Sequence, residues 1–591
     1  MHGFFGRILK VDLEREKYSI ESISDDIFEK YSGGKGLASW LLYTHNPVGI
    51  DPFDPDNCLI FATGPVTGSS VWGSSRYGVF TKSPQTGLYS ESYSGGRVPE
   101  AINASGFDAI LIHGKSSEPS LLSIHPDGAD FHKAGNIWGL DTYRAEDAVN
   151  KKFKGLYGSH KTDNYKKSGT IVIGPAGEKL VKFAVIENDY WRSAGRTGTG
   201  TVMGSKRLKA IFFTGDKKRL LFNKNKVLAF SKELAKEGRD DPGVLAYKSM
   251  GTPMMVKILN NANAFPTRYW AEGRCSHWQK ISAEALHDRC SVKPNACAKC
   301  FIACGRMTTI KNGRHAGLKI EGPEYETIYS FGGLCLVDSI EEIAYLNDIC
   351  DKMGMDTITA GNLCAFTIEA SKKGKIDYKI EYGDVDAIAD LLYKIANKED
   401  IGKILSEGII YAAKKWDMED IAVHTKGLEP AGYDPRVLKG MGLAYATSDR
   451  GACHLRSTFY KPELSGVIDP DQTKGKAELF IDFEDRLTIF DTLILCRFYR
   501  DLYPWEKLEE IFQQVTGIST DKNSLKIISS SISDIIRRFN IREGMKPEDD
   551  KLPEKLHTKL EKTGHTITKK EIKTMVGDYY QLRGWDKNGI P

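Results

Sequence analysis

The 591-residue chain reads as an α+β multidomain protein, a β-rich N-terminal domain followed by two mostly α-helical domains. Three observations predict this. Residues 1–212 hold 27 of the 57 glycines, well above the average usage of about 7%, so the first third is rich in tight turns. Short apolar runs bounded by Gly or Pro, at residues 7–13, 59–62, 109–112 and 171–173, read as strands. From about residue 225 apolar residues recur at three and four, in 341–346, 385–416, 487–498 and 525–539, which predicts helices. Polar or Gly/Pro-containing connections near Asp216 and Gly427 divide the chain into 1–213, 214–427 and 428–591. No repeat at a solenoid period and no low-complexity tract interrupts this plan.

With 41% hydrophobic and 27% charged residues the chain can fill several cores without staples. No run reaches the roughly 18 apolar residues needed to span a bilayer, and the start lacks the apolar stretch of a signal peptide, so a soluble cytoplasmic protein is expected. The 82 Lys+Arg against 78 Asp+Glu give only +4, which argues against nucleic-acid binding but leaves room for a local basic patch facing a small acidic electron carrier.

Eleven cysteines in such a chain point to metal or redox use rather than a disulfide framework. Cys58, Cys275, Cys290, Cys335, Cys350, Cys364 and Cys453 are scattered and read as small buried hydrophobes. Cys297, Cys300 and Cys304 differ, placing three thiolates within eight residues, with Pro294 before them and Gly305 after them. A [4Fe-4S] cluster takes four thiolates, one of which can come from far along the chain. A structural zinc would equally accept four. Two intervening residues and then three is the reverse of the radical-type spacing, and the run holds at most one cluster.

Five glycine loops crowd the first domain: Ser32-Gly33-Gly34-Lys35-Gly36, Thr63-Gly64-Pro65-Val66-Thr67-Gly68, Ser94-Gly95-Gly96, Gly174-Pro175-Ala176-Gly177 and residues 193–200. Each alone is an ordinary turn. Together with Arg76, Arg192 and Arg196 they suggest a large phosphorylated cofactor, because glycine lets backbone N–H groups approach an anion. Neither an ATP nor an NAD fingerprint is present: no G-x-x-x-x-G-K-[ST] occurs, and 198–204 has the wrong spacing.

These loops, the three-cysteine run, Glu321-Gly322-Pro323-Glu324-Tyr325-Glu326, Tyr433-Asp434-Pro435-Arg436, Arg450-Gly451-Ala452-Cys453-His454 and the terminal Tyr579-Tyr580-Gln581-Leu582-Arg583-Gly584-Trp585 occur in an order that resembles, end to end, the tungsten-containing aldehyde:ferredoxin oxidoreductase family. The resemblance implies a first domain forming the base for a tungsten bis-pterin (tungstopterin), with magnesium as an option for bridging the pterin phosphates, and two helical domains closing over it. It implies one [4Fe-4S] cluster on Cys297, Cys300, Cys304 and a distant fourth ligand, Cys496. It assigns pterin contacts to Arg76, Gly95, Gly96, Arg192, Ser193, Gly195, Arg196, Arg450 and Arg456. Two D-x-x-G-L-[DC] segments, one against each pterin, correspond to residues 351–356, with Asp351, Met355 and Asp356, and to 491–496, with Asp491, Leu495 and Cys496.

This chain departs from the family pattern at three places. Ile494 stands where the second segment should have glycine, a branched side chain where backbone approach is expected. Tyr93 replaces a small residue. Residues 345–350 lack the Glu/His pair that bridges two subunits through an iron in some members, so any dimer or hetero-oligomer must form another way.

Glu326 matches the family's active-site glutamate and His454 the histidine facing the substrate oxygen. A carboxylate there takes a proton, and an imidazole N–H steadies a developing oxyanion. The implied reaction is oxidation of a small aldehyde to the carboxylic acid, with electrons leaving through the cluster to ferredoxin or a ferredoxin-like subunit. Two rivals remain: the tungsten subunit of an aryl-CoA (benzoyl-CoA type) reductase, and a non-catalytic electron-transfer subunit that keeps the cluster but not the pterin.

Overall fold

The computed structural model describes residues 1–157 and 167–591. Its first third forms two six-stranded mixed sheets. The first contains β1 (Arg7–Asp12), β2 (Lys17–Ser22), β3 (Leu59–Ala62), β4 (Tyr77–Lys82), β5 (Tyr89–Ser94) and β6 (Ala109–His113), in the order β2-β1-β6-β3-β4-β5. The second contains β7 (Ser120–His125), β8 (Gly128–Lys133), β9 (Lys167–Ile173), β10 (Ile186–Asn188), β11 (Arg192–Ala194) and β12 (Leu208–Gly215), in the order β8-β7-β12-β9-β10-β11. Among the described residues only β1 with β6 and β7 with β12 pair in parallel. Each strand of the first sheet thus has a counterpart six strands later, a duplication of connectivity that leaves no repeat in the sequence.

Strand alternation assembles the layers. Leu9, Val11, Leu59, Phe61, Ile110 and Ile112 turn to one face and meet Ile171, Ile173, Ile211 and Phe213 of the second sheet. Their neighbours Ile8, Ile60, Ala62 and Leu111 turn to the other face and pack on the helix Gly34–His45 and on residues from 487–539. Each such buried aliphatic side chain contributes about 1.5–3 kcal/mol. A further core joins helices between positions 255 and 480 with the C-terminal helix Lys569–Arg583. The cysteine run lies between β13 (Cys290–Asn295) and β14 (Gly305–Ile310), which with β15 (Lys319–Glu321) make a small antiparallel sheet.

The expected strands at 59–62, 109–112 and 171–173 fall within β3, β6 and β9, and the helical runs 341–346 and 525–539 within Ile340–Met353 and Lys522–Arg542. Two helical expectations need correction. Residues 385–416 form three helices, Val385–Asn397, Gly402–Leu405 and Ile409–Trp416, because Lys398 and Gly408 take positive φ. The run at 487–498 stops at Leu493, since Ile494 takes φ 58 and ψ 47. The apolar period continues past the stop because Leu495 remains core although it is no longer helical.

Two loops then position the site. β3 runs into Gly64-Pro65 and β9 into Gly174-Pro175. A Cβ on Gly64 would stand 2.0 Å from the Leu493 carbonyl oxygen, and one on Gly174 2.2 Å from that of Met353. Only glycine allows such contact, so the loop after each of these interior strands receives the C-terminus of one long helix, Lys476–Leu493 or Ile340–Met353. Those ends deliver 491–496 and 351–356 to the space between sheets and helices. Among the described residues no helix is long and apolar enough to cross a membrane.

Candidate active site and cluster cavity

Cys297, Cys300, Cys304 and Cys496 line one cavity of about 270 Å³. Positive φ at Lys299 and Ala303 curls the three-cysteine run. Backbone bonds then hold the curl against the first sheet: the Ala298 N–H donates to the Gly96 carbonyl at 3.0 Å, and the Gly73 N–H to that of Lys299 at 2.8 Å. The Cys496 N–H in turn donates to the Gly73 carbonyl at 2.9 Å, which brings the distant cysteine to the other three. A Cβ on Gly95 would lie 2.9 Å from the Cys297 sulfur. Among the described residues no group of three or more His, Cys, Asp or Glu converges on a single ion. The four sulfurs surround a volume instead.

A second cavity of about 360 Å³ adjoins the first, sharing Arg76, Tyr93, Ser193, Glu324, Cys496 and Phe498 as walls. Arg76 stands on the partition, Nη1 4.0 Å from the Cys496 sulfur and Nη2 donating to the Tyr93 carbonyl at 3.2 Å. Gly95, Arg192 and Ser193 line the cysteine cavity; Ser193, Gly195, Arg196, Arg450, Asp491 and Leu495 line the second, with Glu326 and His454.

The remaining expected contact residues lie just behind these walls. Gly96 clamps the cysteine loop. Asp356 caps the helix Thr357–Lys372 and accepts from Arg196 Nε at 3.0 Å. Met355 is core. Asp351 accepts from Asn347 at 2.7 Å. Arg456 reaches Glu91 and accompanies it behind Asp491, whose carboxylate it meets at 3.0 Å.

Glu326 lies in the short helix Tyr325–Thr327, which continues into a π-helical turn over Ile328–Leu334. The Gly432 N–H donates to Glu326 Oε2 at 3.0 Å, and the Gly432 carbonyl accepts from the Tyr325 hydroxyl, so one residue fixes both side chains. Among the described residues Glu326 Oε1 has no partner other than His454 Nε2, 3.4 Å away, and His454 Nδ1 has none. Burial raises the Glu326 carboxyl to about 7 against the Gly432 hydrogen bond and Arg196. Burial, and then Arg196 and Arg450, push His454 well below its ordinary value, so the imidazole is neutral. A protonated Glu326 donating to Nε2 leaves an Nδ1–H free to donate to a ligand oxygen.

Further buried donors are left without partners here: Arg456 Nε and Nη2, Arg497 Nη1 and the Thr458 hydroxyl. Unpaired donors at this density mark the place of an anionic ligand. The two departures resolve simply. Ile494 turns its side chain onto Gly34, whose Cβ would lie 2.7 Å from Ile494 Cγ1, and so points away from the cavities. The Tyr93 hydroxyl donates to Glu91 at 2.7 Å, leaving its ring edge as wall. Sequence reading passed over Glu324, Arg497, Arg500, Tyr247 and Tyr460, all of which line the second cavity. Arg497 and Arg500 had a signal, two cations one and four residues after the distant cysteine.

Comparisons with known proteins agree with this architecture. The family model described as aldehyde ferredoxin oxidoreductase, N-terminal domain, matches residues 8–215, and that described as aldehyde ferredoxin oxidoreductase, domains 2 and 3, matches 229–591. A tungsten-containing aldehyde ferredoxin oxidoreductase of Thermococcus kodakarensis is 33% identical over all of this chain and 97% of its own length. The aliphatic sulfonate oxidoreductase WOR-like subunit of Pyrococcus furiosus is 28% identical over all of this chain and 96% of its own. The solved active site complex BamBC of benzoyl coenzyme A reductase superposes with a TM-score of 0.84 at 23% identity, covering all of this chain and 96% of that one, a likeness of fold. The full-length matches and the ordered site residues together make this chain an oxidoreductase of the aldehyde ferredoxin oxidoreductase family.

Proposed function

We propose that the protein oxidises an aldehyde to the carboxylic acid at a tungsten bis-pterin in the second cavity, and sends the electrons through a [4Fe-4S] cluster in the first to ferredoxin or a ferredoxin-like subunit. The observation that carries this reading is the shared wall: Cys496 and Arg76 line both the four-cysteine cavity and the one containing Glu326 and His454. Four thiolates around a volume suit a cluster better than a single zinc. The unpartnered nitrogens of Arg456 and Arg497 suit pterin phosphates, with or without a bridging magnesium.

When bound, the tungsten pterin supplies the two-electron oxidation. Aldehyde and water give the acid, two electrons and two protons. Glu326, with its carboxyl near 7, receives a proton as carboxylate, and the neutral His454 gives its Nε2–H to that carboxylate, 3.4 Å away, holding it beside the substrate with Nδ1 as an acceptor. The base form grows as pH rises through about 7, so the aldehyde rate should rise across that range.

The test is dye-linked oxidation of aldehydes by tungsten-loaded protein, with iron and tungsten counted per chain. Glu326→Gln should lower kcat by roughly 10²–10⁴ and remove the limb near pH 7; His454→Asn should also lower it. Unchanged rates would remove those roles, and turnover of benzoyl-CoA with no aldehyde activity would replace the reading with the aryl-CoA one.

A further inference from the structure

Arg500 is 2% exposed and lines the second cavity. It follows Cys496 by four residues; of the cavity's other arginines, Arg76 and Arg450 donate to the Tyr93 and Glu91 carbonyls, and two are ion-paired. Arg196 pairs with Asp356 and Arg497 with Asp491. Among the described residues no carboxylate lies within ion-pairing distance of Arg500. The adjacent Asp501 pairs directly with Lys461 and feels Arg500 at longer range, where the Arg500 charge helps hold its carboxyl down. Nη1 donates to the Arg497 carbonyl at 3.0 Å, while Nε is buried with no partner. A cation buried without an anion is costly, and the cost is removed when a ligand brings the anion.

The surroundings of Arg500 are aromatic. Tyr433 stacks on His454 at 5.5 Å, and Tyr460 stacks on Tyr433 at 4.1 Å with an interplanar angle of 13°. Tyr247 packs on Phe498 at 4.6 Å, and its hydroxyl feels the Arg500 charge. The first stack runs outward from the catalytic histidine, and all these rings line the same cavity. Arg500 interacts with Tyr247 and Tyr460, and its charge also reaches His454. A flat ring suits such walls, since offset aromatic contacts favour it over a short alkyl chain.

We infer that the substrate is an aromatic aldehyde bearing an anionic group, its formyl end at Glu326 and His454, its ring beside Tyr433, Tyr460 and Tyr247, and its anion on Arg500. This deepens the aldehyde reading and rests on it. Arg500 is here a specificity residue that holds substrate, while Glu326 and His454 keep their roles.

The experiment measures kcat/KM of the metal-loaded enzyme for 4-carboxybenzaldehyde, benzaldehyde and acetaldehyde. Wild type should favour 4-carboxybenzaldehyde over benzaldehyde by about 10- to 100-fold, the size expected of one charge-assisted hydrogen bond, and benzaldehyde over acetaldehyde. In Arg500→Met the ratio of the first two should fall toward one, and Arg500→Lys should restore part of it. Tungsten and pterin per chain are counted in each variant. Loss of pterin from Arg500→Met would overturn the inference by making Arg500 a cofactor ligand. Equal wild-type rates on the two benzaldehydes would also overturn it, and that measurement needs no variant to fold. If no aldehyde is turned over at all, the underlying aldehyde reading fails, a different result from indifference to the carboxylate.

Discussion

The two halves of the site share a backbone plan and differ in charge. In each, a strand runs into a Gly-Pro loop whose glycine touches the end of a long helix, and the next residue takes a left-handed conformation: Gly354 at φ 76 in the first half, Ile494 at φ 58 in the second. Asp351 and Asp491 stand three residues before these turns. Burial and the neighbouring Glu187 and Asp348 push the Asp351 carboxyl well up. Burial acts on Asp491 in the same direction, but Arg497, Arg456 and Lys35 outweigh it and hold that carboxyl below its ordinary value. Equivalent aspartates are thus pushed toward the neutral acid in one half and toward the carboxylate in the other. The segments also end differently, in the helix-capping Asp356 and in Cys496, so only the second half is joined to the cysteine cavity. Fold symmetry sets where backbone goes, and side chains then give each half its own task.

The contrast at the segment ends should give the largest effect. Cys496→Ser removes one of four thiolates and should abolish the native cluster signal and lower iron per chain, whereas Asp356→Asn should keep both; equal iron in the two variants would break the asymmetry. Next come the aspartates. Asp491→Asn leaves Arg497 without its carboxylate and Arg456 with Glu91 alone, and should cost about 3–5 kcal/mol in denaturant unfolding, while Asp351→Asn, replacing an acid that burial pushes toward its neutral form, should cost about 1 kcal/mol or less.

The same contrast predicts opposite pH failures. Asp491 has a lowered folded value, so its stabilisation is present above the ordinary carboxylate range and is lost as pH falls through that lowered value. Burial raises Glu146 and Glu187 to about 8, so the stability they allow is full below about 4.5 and is lost as pH rises toward 8. Hydrogen exchange, corrected for intrinsic rates, should open 491–496 first in acid and the sheet around 187 first in alkali. The smallest effect concerns the turn. Ile494→Gly relieves about 1–2 kcal/mol of left-handed strain but empties the contact with Gly34, and a buried Ile is worth about 2–5 kcal/mol. The variant should lose about 1–3 kcal/mol net with pterin content kept, and loss of pterin would show that Ile494 shapes the cavity after all.

Much of this was legible in the sequence, and the misses have physical causes. The strands 59–62 and 109–112 could be read because alternate residues face two different cores. The overrun at 487–498 arose because an isoleucine gives no warning of a left-handed turn, which glycine would have announced. Arg500 was passed over because an arginine's meaning depends on whether a carboxylate waits beside it, and no local pattern records that.

The sequence by itself determined the element types, through apolar period, the three local cysteines, through spacing, and the glycines needed where backbone meets backbone. Spacing alone did not add Cys496, which the family resemblance supplied and the tertiary structure brings to the same cavity; only the tertiary structure decided that Asp351 and Asp491 shift in opposite directions and that Arg500 has no directly paired carboxylate among the described residues. Each of these depends on groups hundreds of residues apart, or on burial that strips water from a charge, and both are fixed only when the chain has closed on itself.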